Sequence, residues 1–198
     1  PEAVYETLQV MNTLQPGLCV LGTRLPGCFN VFEMSVRAVL GQQITVKAAS
    51  TLAAMLVAVY GTQVQTGIEG LTHSFPAPAA ILALGENISE HLGKLGIISA
   101  RANTIYQLAR VLADEKNDFG FCGNPEEEMQ KLQAIRGIGS WTAQYIAMRA
   151  MGWPDAFLPT DAGIKKALPD HTPKELQVLS EAWRPWRSYA TVNLWNTL

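Results

Sequence analysis

The sequence predicts an all-α protein whose helices form two lobes. Apolar residues recur at three- and four-residue spacing along most of the chain, which is the period of an amphipathic helix. The alternation of apolar and polar residues that marks a half-buried strand is almost absent. With 198 residues and 48% hydrophobic content, the chain can form a sizeable core. We expect roughly nine or ten short helices.

Three segments are expected in chain order. An N-terminal helical segment covers residues 1–30, a helical lobe covers 31–125, and a second lobe covers 126–198. Loops are predicted where glycine, proline and threonine gather and the helical periodicity lapses. These loops cover residues 15–30, 61–78 and 152–160.

Helical faces can be assigned within the first lobe from apolar spacing. One face is formed by Val36, Val39 and Leu40. The face of the next helix is formed by Leu52, Met55, Leu56 and Val59. A third helix is predicted over Ser99–Glu115. Its apolar side is formed by Ile105, Leu108, Ala109 and Leu112.

Helix starts are indicated at three places. Ser99 is a candidate N-cap, because its hydroxyl can accept a hydrogen bond from an unpaired backbone amide. The sequences NPEE at 124–127 and TPKE at 172–175 each offer a cap, a proline at the first helical position and a glutamate at the third. Both are strong helix-start signals.

Cysteine usage and hydropathy limit the class of protein. Cys19, Cys28 and Cys122 have neither CxxC spacing nor a nearby histidine, so a disulfide framework, zinc site or iron–sulfur cluster is not expected. They should be small apolar side chains in a reducing compartment. No stretch approaches the ~20 apolar residues of a membrane span, and no signal-peptide pattern is present. We therefore expect a soluble intracellular protein without membrane contact.

Charge is distributed unevenly although the net charge is only −2. Residues 85–128 hold four basic and eight acidic side chains, whereas Met129 onward holds eight basic and five acidic ones. A modestly basic C-terminal part is compatible with contact to phosphate but does not demonstrate it.

The stretch AIRGIGSWTAQYIAM, residues 134–148, places two glycines directly before an apolar, small-residue helix. It could be a tight turn between helices, because glycine adopts left-handed backbone angles at little steric cost. It could also bind an anion, because unpaired amides and the helix dipole both favour negative charge at a helix N-terminus. A loop with no side chains at its outer edge lets a phosphate approach closely. Taken alone, the stretch favours the turn.

Together with three further segments, this stretch resembles the helix-hairpin-helix superfamily of DNA glycosylases. Those segments are FEMSVRAVLGQQIT at 32–45, WPDAFLPTDAGIKKAL at 153–168 and WRPWRSYATVNLW at 183–195. The resemblance covers nearly all of residues 30–198 and points to the bacterial 3-methyladenine DNA glycosylase II (AlkA) type. It implies an all-α fold with an active-site cleft between two helical lobes. That type ordinarily carries a further N-terminal domain, so we expect this chain to be its helical catalytic part.

The resemblance assigns the catalytic carboxylate to Asp161. Cleavage of a glycosidic bond builds positive charge on the sugar, so a carboxylate is needed against the developing oxocarbenium ion. Local sequence alone favours Asp161 as the N-cap of a short helix, and both roles can coexist. Lys165 and Lys166 follow it into that helix, where they should be solvated or face phosphate.

Trp141 indicates the type of glycosylase. Lyase relatives have a lysine here that forms a Schiff base with the sugar, so the resemblance implies a monofunctional enzyme with water as nucleophile and no catalytic cofactor. Trp141, Tyr145 and Trp195 are the candidates for an aromatic pocket that stacks on a cationic alkylated purine. Trp183 and Trp186 are better explained as scaffold.

The pocket and the wedge depart from the pattern of the family. Ala162, Gly163 and Asn196 stand where family members often have bulkier residues, which predicts a roomier pocket. Gln42 and Gln43 are the candidates for the wedge that fills the space of a flipped base. The AlkA type has a leucine at the second position. Gln43 would instead fill the gap by hydrogen bonding, and a solvated helix end is an equally good interpretation.

The resemblance also assigns roles to the hairpin. Gly137, Gly139 and Thr142 would contact a DNA phosphate. A structural sodium or potassium ion would be held by the main-chain carbonyls of Gln133, Ile135 and Ile138. Such an ion would bind weakly and take no part in the chemistry.

The main interpretation is an enzyme that releases alkylated bases such as 3-methyladenine from double-stranded DNA after base flipping. It would act as a monomer in the bacterial cytoplasm, on the nucleoid when bound to DNA. The alternative is a non-catalytic helix-hairpin-helix DNA-binding module in which Asp161 is only a cap. A bifunctional glycosylase with an iron–sulfur cluster is opposed by Trp141 and by the lack of four clustered cysteines.

Overall fold

The computed structural model describes residues 2–113 and 124–198 of the chain. In this part, the structure consists mainly of eleven α-helices with three short 3-10 helices, which confirms the all-α prediction. The helices are α1 (Glu2–Leu8), α2 (Val31–Leu40), α3 (Val46–Tyr60), α4 (Pro78–Leu82), α5 (Ile88–Gly93), α6 (Ser99–Leu112), α7 (Pro125–Ala134), α8 (Ser140–Arg149), α9 (Ala162–Ala167), α10 (Pro173–Leu179) and α11 (Arg187–Trp195). None of these described helices is long and apolar enough to cross a membrane.

Two of the three predicted helix starts are confirmed. The Asn124 side chain accepts a hydrogen bond from the amide of Glu126, and Pro125 occupies the first turn of α7. Thr172 and Glu175 form a reciprocal capping box at α10. The prediction for Ser99 is wrong, because Ser99 is already helical and the cap position is taken by Ile98, which makes no side-chain cap bond. The last two residues of the predicted Ser99–Glu115 helix lie outside the described residues.

Apolar spacing located two helix faces correctly and one in part. Val36, Val39 and Leu40 are buried in α2, and Ile105 is among the buried residues of α6. In α3, however, Ala53 and Leu56 are buried whereas Met55 and Val59 are 40% and 56% exposed. Almost every turn of α3 carries apolar residues, so its periodicity did not determine which side faces the core.

Two hydrophobic cores organise the packing. The first core contains buried residues of every helix from α2 through α8. The second contains buried residues of α1, α9, α10 and α11. Helix α8 belongs to both, because Ile146 and Ala147 pack into the first core and Met148 packs into the second. The C-terminal half of α8 is therefore packed against both cores.

The predicted loops carry little regular structure. Residues 15–30 and 152–160 form turns and bends. The loop at 61–78 contains a small antiparallel hairpin that was not predicted, with β1 (Thr62–Gln63) paired to β2 (His73–Ser74). Strands of two residues are too short for alternation to be recognised in a sequence.

Cys19 and Cys28 are free thiols, as expected. Cys19 packs in the second core, and Cys28 lies half-buried against the first. Burial raises the pKa of both thiols above its ordinary value. Both therefore behave as small apolar side chains, whereas Cys122 lies outside the described residues.

Candidate active site

One cleft brings most of the predicted site residues together. It lies between the end of α2, the N-terminus of α8 and the first turn of α9. The predicted residues that line it include Gln42, Gln43, Gly137, Gly139, Trp141, Thr142, Tyr145, Asp161 and Trp195. Gln133, Ile138 and Asn196 lie outside this lining.

Asp161 caps α9, as its local sequence predicted. Its Oδ1 atom accepts hydrogen bonds from the amides of Gly163 at 2.9 Å and Ile164 at 3.0 Å. The loop before it is anchored at Asp155, which is 7% exposed and pairs with the buried guanidinium of Arg187 at 2.7 Å. The position of the carboxylate is thus fixed by α9 on one side and by α11 on the other.

Two indole groups also donate to the Asp161 carboxylate. Trp195 Nε1 lies 2.8 Å from Oδ1, and Trp141 Nε1 lies 3.1 Å from Oδ2. Within residues 2–113 and 124–198, no lysine or arginine forms an ion pair with Asp161. All four donors are neutral N–H groups, so they orient the carboxylate without cancelling its charge. Oδ2 receives one of the four and keeps capacity for another partner.

Aromatic side chains form one wall beside this carboxylate. Trp141 and Tyr145 are stacked, with ring centres 5.2 Å apart and planes 7° apart, and Trp195 lies 6.3 Å from Tyr145. The Arg149 guanidinium lies 5.8 Å from the centre of the Tyr145 ring. Trp183 is 1% exposed, in edge contact with Phe157, which confirms that it is scaffold. Trp186 likewise packs edge-on against Tyr189 beside the second core.

Of the three positions predicted to make the pocket roomier, Ala162, Gly163 and Asn196, Gly163 does not enlarge it. A Cβ atom at Gly163 would lie 2.8 Å from Cδ1 of Trp195, so the Trp195 indole already fills the space that a side chain would occupy. The prediction of extra room is wrong at this position. Ala162 is exposed and lines the cleft, whereas Asn196 is exposed outside it.

The two hairpin glycines have different structural roles. Gly137 has a φ of +97°, and a Cβ atom there would overlap the side chain of Thr104 in α6. The fold itself therefore requires glycine at 137. Gly139 is the N-cap of α8 with a φ of −87°, and a Cβ atom there would meet nothing within 4 Å. Among the described residues, no packing contact requires glycine at position 139.

The backbone amides that follow Gly139 in the first turn of α8 are unpaired in the described part of the chain. Helix α8 has no side-chain cap, and in the described part of the chain no acceptor bonds the amides of Ser140, Trp141 or Thr142. Ile135 and Ile138 are buried, which fixes the hairpin, whereas Gly139 is exposed. The arrangement presents several parallel N–H groups at the positive end of a helix dipole. Thr142 is only 3% exposed, and its hydroxyl oxygen already accepts a hydrogen bond from the Gln42 side chain.

The predicted ion ligands are main-chain oxygens on the hairpin. The Ile135 oxygen accepts a hydrogen bond from the Ile138 amide at 3.0 Å. For the described residues, no donor reaches the oxygens of Gln133 or Ile138. No cluster of His, Cys, Asp or Glu in the same residues could hold a metal ion. Neutral carbonyl oxygens are ligands for hard cations, so the donor set fits an alkali ion rather than a transition metal.

The turn from α2 to α3 separates the two wedge candidates. The Gln42 amide donates to the Gly137 oxygen at 3.0 Å and to Thr142 Oγ1 at 2.9 Å, so Gln42 joins this turn to the hairpin. The guanidinium of Arg101 donates to the Gln42 main-chain oxygen. Gln43 is exposed and has a φ of +54°, a left-handed conformation that is uncommon outside glycine.

Three supporting residues were missed by sequence reasoning. Arg101 holds the α2–α3 turn, Thr104 donates to the Arg136 oxygen in the hairpin at 3.0 Å, and Arg187 anchors the loop before the carboxylate. Each acts on a segment at least thirty residues away in the chain. No local pattern identifies such contacts.

Comparison with known sequences finds a DNA repair family and two similar DNA repair proteins. The profile described as "HhH-GPD superfamily base excision DNA repair protein" matches residues 36–187. The chain is 36% identical over 197 residues to DNA-3-methyladenine glycosylase 2 of Escherichia coli K12, covering all of this chain and 66% of that protein. It is 40% identical over 204 residues to a probable bifunctional transcriptional activator/DNA repair enzyme AlkA of Mycobacterium tuberculosis H37Rv, covering all of this chain and 40% of that protein. The chain thus spans less than two thirds of both relatives.

The fold is also found in solved structures. The 3-methyladenine DNA-glycosylase from Archaeoglobus fulgidus superposes with a TM-score of 0.80 at 25% identity. The match covers 98% of this chain and 68% of that one. The helical arrangement predicted from the sequence is therefore a known architecture.

Proposed function

The chain belongs to the HhH-GPD superfamily of base excision DNA repair proteins, and on that premise we propose that it is the catalytic helical part of a monofunctional DNA glycosylase. Its substrates would be alkylated bases such as 3-methyladenine in double-stranded DNA. The names of the similar proteins support this choice. The observation that carries it is the Asp161 carboxylate, held by four neutral N–H donors beside an aromatic wall.

The proposed reaction is hydrolysis of the N-glycosidic bond. As that bond breaks, its electron pair leaves with the base, and positive charge develops on the sugar ring. The Asp161 carboxylate would stabilise this charge through Oδ2, the oxygen with one hydrogen bond. A water molecule would then bond to the anomeric carbon and pass a proton to the Asp161 carboxylate, which would act as general base. The products are a free base and an abasic site in an intact strand.

The aromatic wall supports selection of cationic bases. A base alkylated at a ring nitrogen carries positive charge, which an electron-rich indole face attracts. One face of Trp141 is covered by Tyr145, and among the described residues no second ring stacks on Trp141. A flipped base could therefore stack on the other face of Trp141 and lie beside Asp161.

The N-terminus of α8 is the proposed phosphate contact. Gly139 and the unpaired amides after it would bind a backbone phosphate, which positions the duplex without reading its sequence. The wedge is proposed to be Gln43, because Gln42 is already bonded to the hairpin. Gln43 is exposed and lies between α2 and α3 with a left-handed backbone conformation, which leaves its side chain open to solvent and to a bound duplex.

An alkali ion is proposed to support the hairpin. The carbonyl oxygens of Gln133, Ile135 and Ile138 would hold it, and two of these oxygens lack a donor in the described chain. When bound, the ion would neutralise carbonyl dipoles and add positive charge near the phosphate contact. Proton transfer and bond cleavage would remain with Asp161 and water.

Release of methylated bases from alkylated DNA tests the proposed function. We expect the protein to release free 3-methyladenine while the strand stays intact until it is treated with alkali. Borohydride should trap no covalent adduct, because Trp141 provides no amine. Binding without base release would favour the DNA-binding module. A trapped adduct would contradict the monofunctional assignment.

A further inference from the structure

Gly163 and Trp195 are in unusually close contact beside Asp161. Gly163 lies in the first turn of α9, and Trp195 is the last residue of α11. A Cβ atom at Gly163 would lie 2.8 Å from Cδ1 and 3.0 Å from Nε1 of Trp195, and 3.0 Å from Oδ1 of Asp161. Real Cβ atoms essentially never come as close as 2.8 Å, so a side chain would force the indole to move.

This contact determines how the carboxylate is held. The Trp195 indole reaches Oδ1 of Asp161 at 2.8 Å only because the space above Gly163 is free. Gly163 also donates its own amide to the same oxygen at 2.9 Å. Gly163 therefore donates one hydrogen bond itself, and its lack of a side chain leaves room for the second donor, the Trp195 indole.

We propose that Gly163 is a positioning residue for the glycosylase reaction, required so that Trp195 can orient the Asp161 carboxylate. The inference rests on the proposed function for its catalytic consequence, but not for the hydrogen bond itself. With alanine at 163, the indole is displaced and Oδ1 loses its shortest hydrogen bond. The carboxylate can then rotate about its remaining donors, which misdirects Oδ2 with respect to the sugar.

The hydrogen bond can be tested without DNA. The chain has five tryptophans, so selective ¹⁵N labelling gives five indole N–H signals, and Trp195→Ala identifies one of them. Gly163→Ala should shift the Trp195 signal, as should Asp161→Asn. The matched control is Gly93→Ala, since Gly93 lies in α5 and a Cβ atom there would meet nothing within 4 Å. An unchanged Trp195 signal in folded Gly163→Ala would overturn the inference.

Single-turnover kinetics test the catalytic consequence. Loss of one hydrogen bond to a charged group should slow base release by about tenfold to a hundredfold, with little change in affinity for abasic-site DNA. Because Trp195→Ala removes the atoms that Gly163→Ala would strike, the double variant should be no slower than Trp195→Ala alone. Fully additive losses, or a wild-type rate in Gly163→Ala, would refute the positioning role. If Gly163→Ala does not fold, Trp195→Phe removes the indole donor while keeping the glycine, and the same rate loss is expected.

The two proposals fail in different ways. If the wild type releases no base but the indole signal shifts in Gly163→Ala, the proposed function is wrong and only the hydrogen bond stands. If the wild type releases base and Gly163→Ala does so equally fast, the proposed function stands and the positioning role is wrong.

Discussion

If the N-terminus of α8 binds phosphate, Gly139→Asp should weaken DNA binding without lowering the stability of the fold. Aspartate at position 139 is an N-cap, so its carboxylate can bond the free amides of α8 from within the chain. Gly139→Asp should therefore keep or slightly raise the melting temperature while it occupies the groups that would bind phosphate. Loss of one charged hydrogen bond costs about 1.5 to 3 kcal/mol, and carboxylate–phosphate repulsion at ~4 Å in water adds about 1 kcal/mol. The expected loss of affinity is roughly 70- to 900-fold.

Fluorescence anisotropy with an undamaged duplex and an abasic-site duplex measures this effect, with variants compared at each of several salt concentrations. Both duplexes should lose affinity alike, and the salt dependence should fall by about one phosphate contact. Gly139→Ala is the matched control, because its methyl group meets no atom within 4 Å and leaves the amides free. Gly137→Asp is not a suitable variant, since a side chain there would strain the fold. Equal affinity of the aspartate and alanine variants would refute the phosphate contact at Gly139.

Two further predictions concern the wedge and the scaffold. Gln43→Ala should slow base excision by about tenfold without lowering the melting temperature, because the side chain is exposed. Gln42→Ala should in addition loosen the hairpin to which Gln42 is hydrogen-bonded. Equal excision by the wild type and Gln43→Ala would contradict the wedge assignment. Asp155→Ala should lower the free energy of unfolding in urea by about 3 to 5 kcal/mol, because the buried guanidinium of Arg187 loses its partner. The control is Glu181→Gln, which should lower the free energy of unfolding much less, because Glu181 is exposed although it pairs with the same two arginines. Equal losses of unfolding free energy in the two variants would refute a stabilising buried pair.

Much of the fold could be predicted from short-range chemistry. The caps at Asn124, Asp161 and Thr172 depend on residues within four positions, and all three form as expected. The prediction failed where local signals were ambiguous. Ser99 has the chemistry of a cap but follows the true cap position, and α3 is apolar on more than one side.

The candidate site required contacts that are distant in sequence. The sequence could name Asp161, Trp141 and Trp195, but it could not show that both indoles donate to one carboxylate. It could not separate Gln42 from Gln43 either, because the difference lies in a backbone angle and in hydrogen bonds to a hairpin about a hundred residues away. Gly163 illustrates the same limit, since its missing side chain suggested free space that Trp195 in fact occupies.

The most direct test of the catalytic assignment is base release by Asp161→Asn. The substitution removes the charge but little volume, and asparagine can still cap α9, so the fold and the affinity for abasic-site DNA should be retained. Release of 3-methyladenine from alkylated DNA under single-turnover conditions should fall by about a hundredfold to a thousandfold or more, because the developing sugar cation loses its counter-charge. A variant that is folded, binds DNA and releases 3-methyladenine at the wild-type rate would contradict the assignment of Asp161 as the catalytic carboxylate.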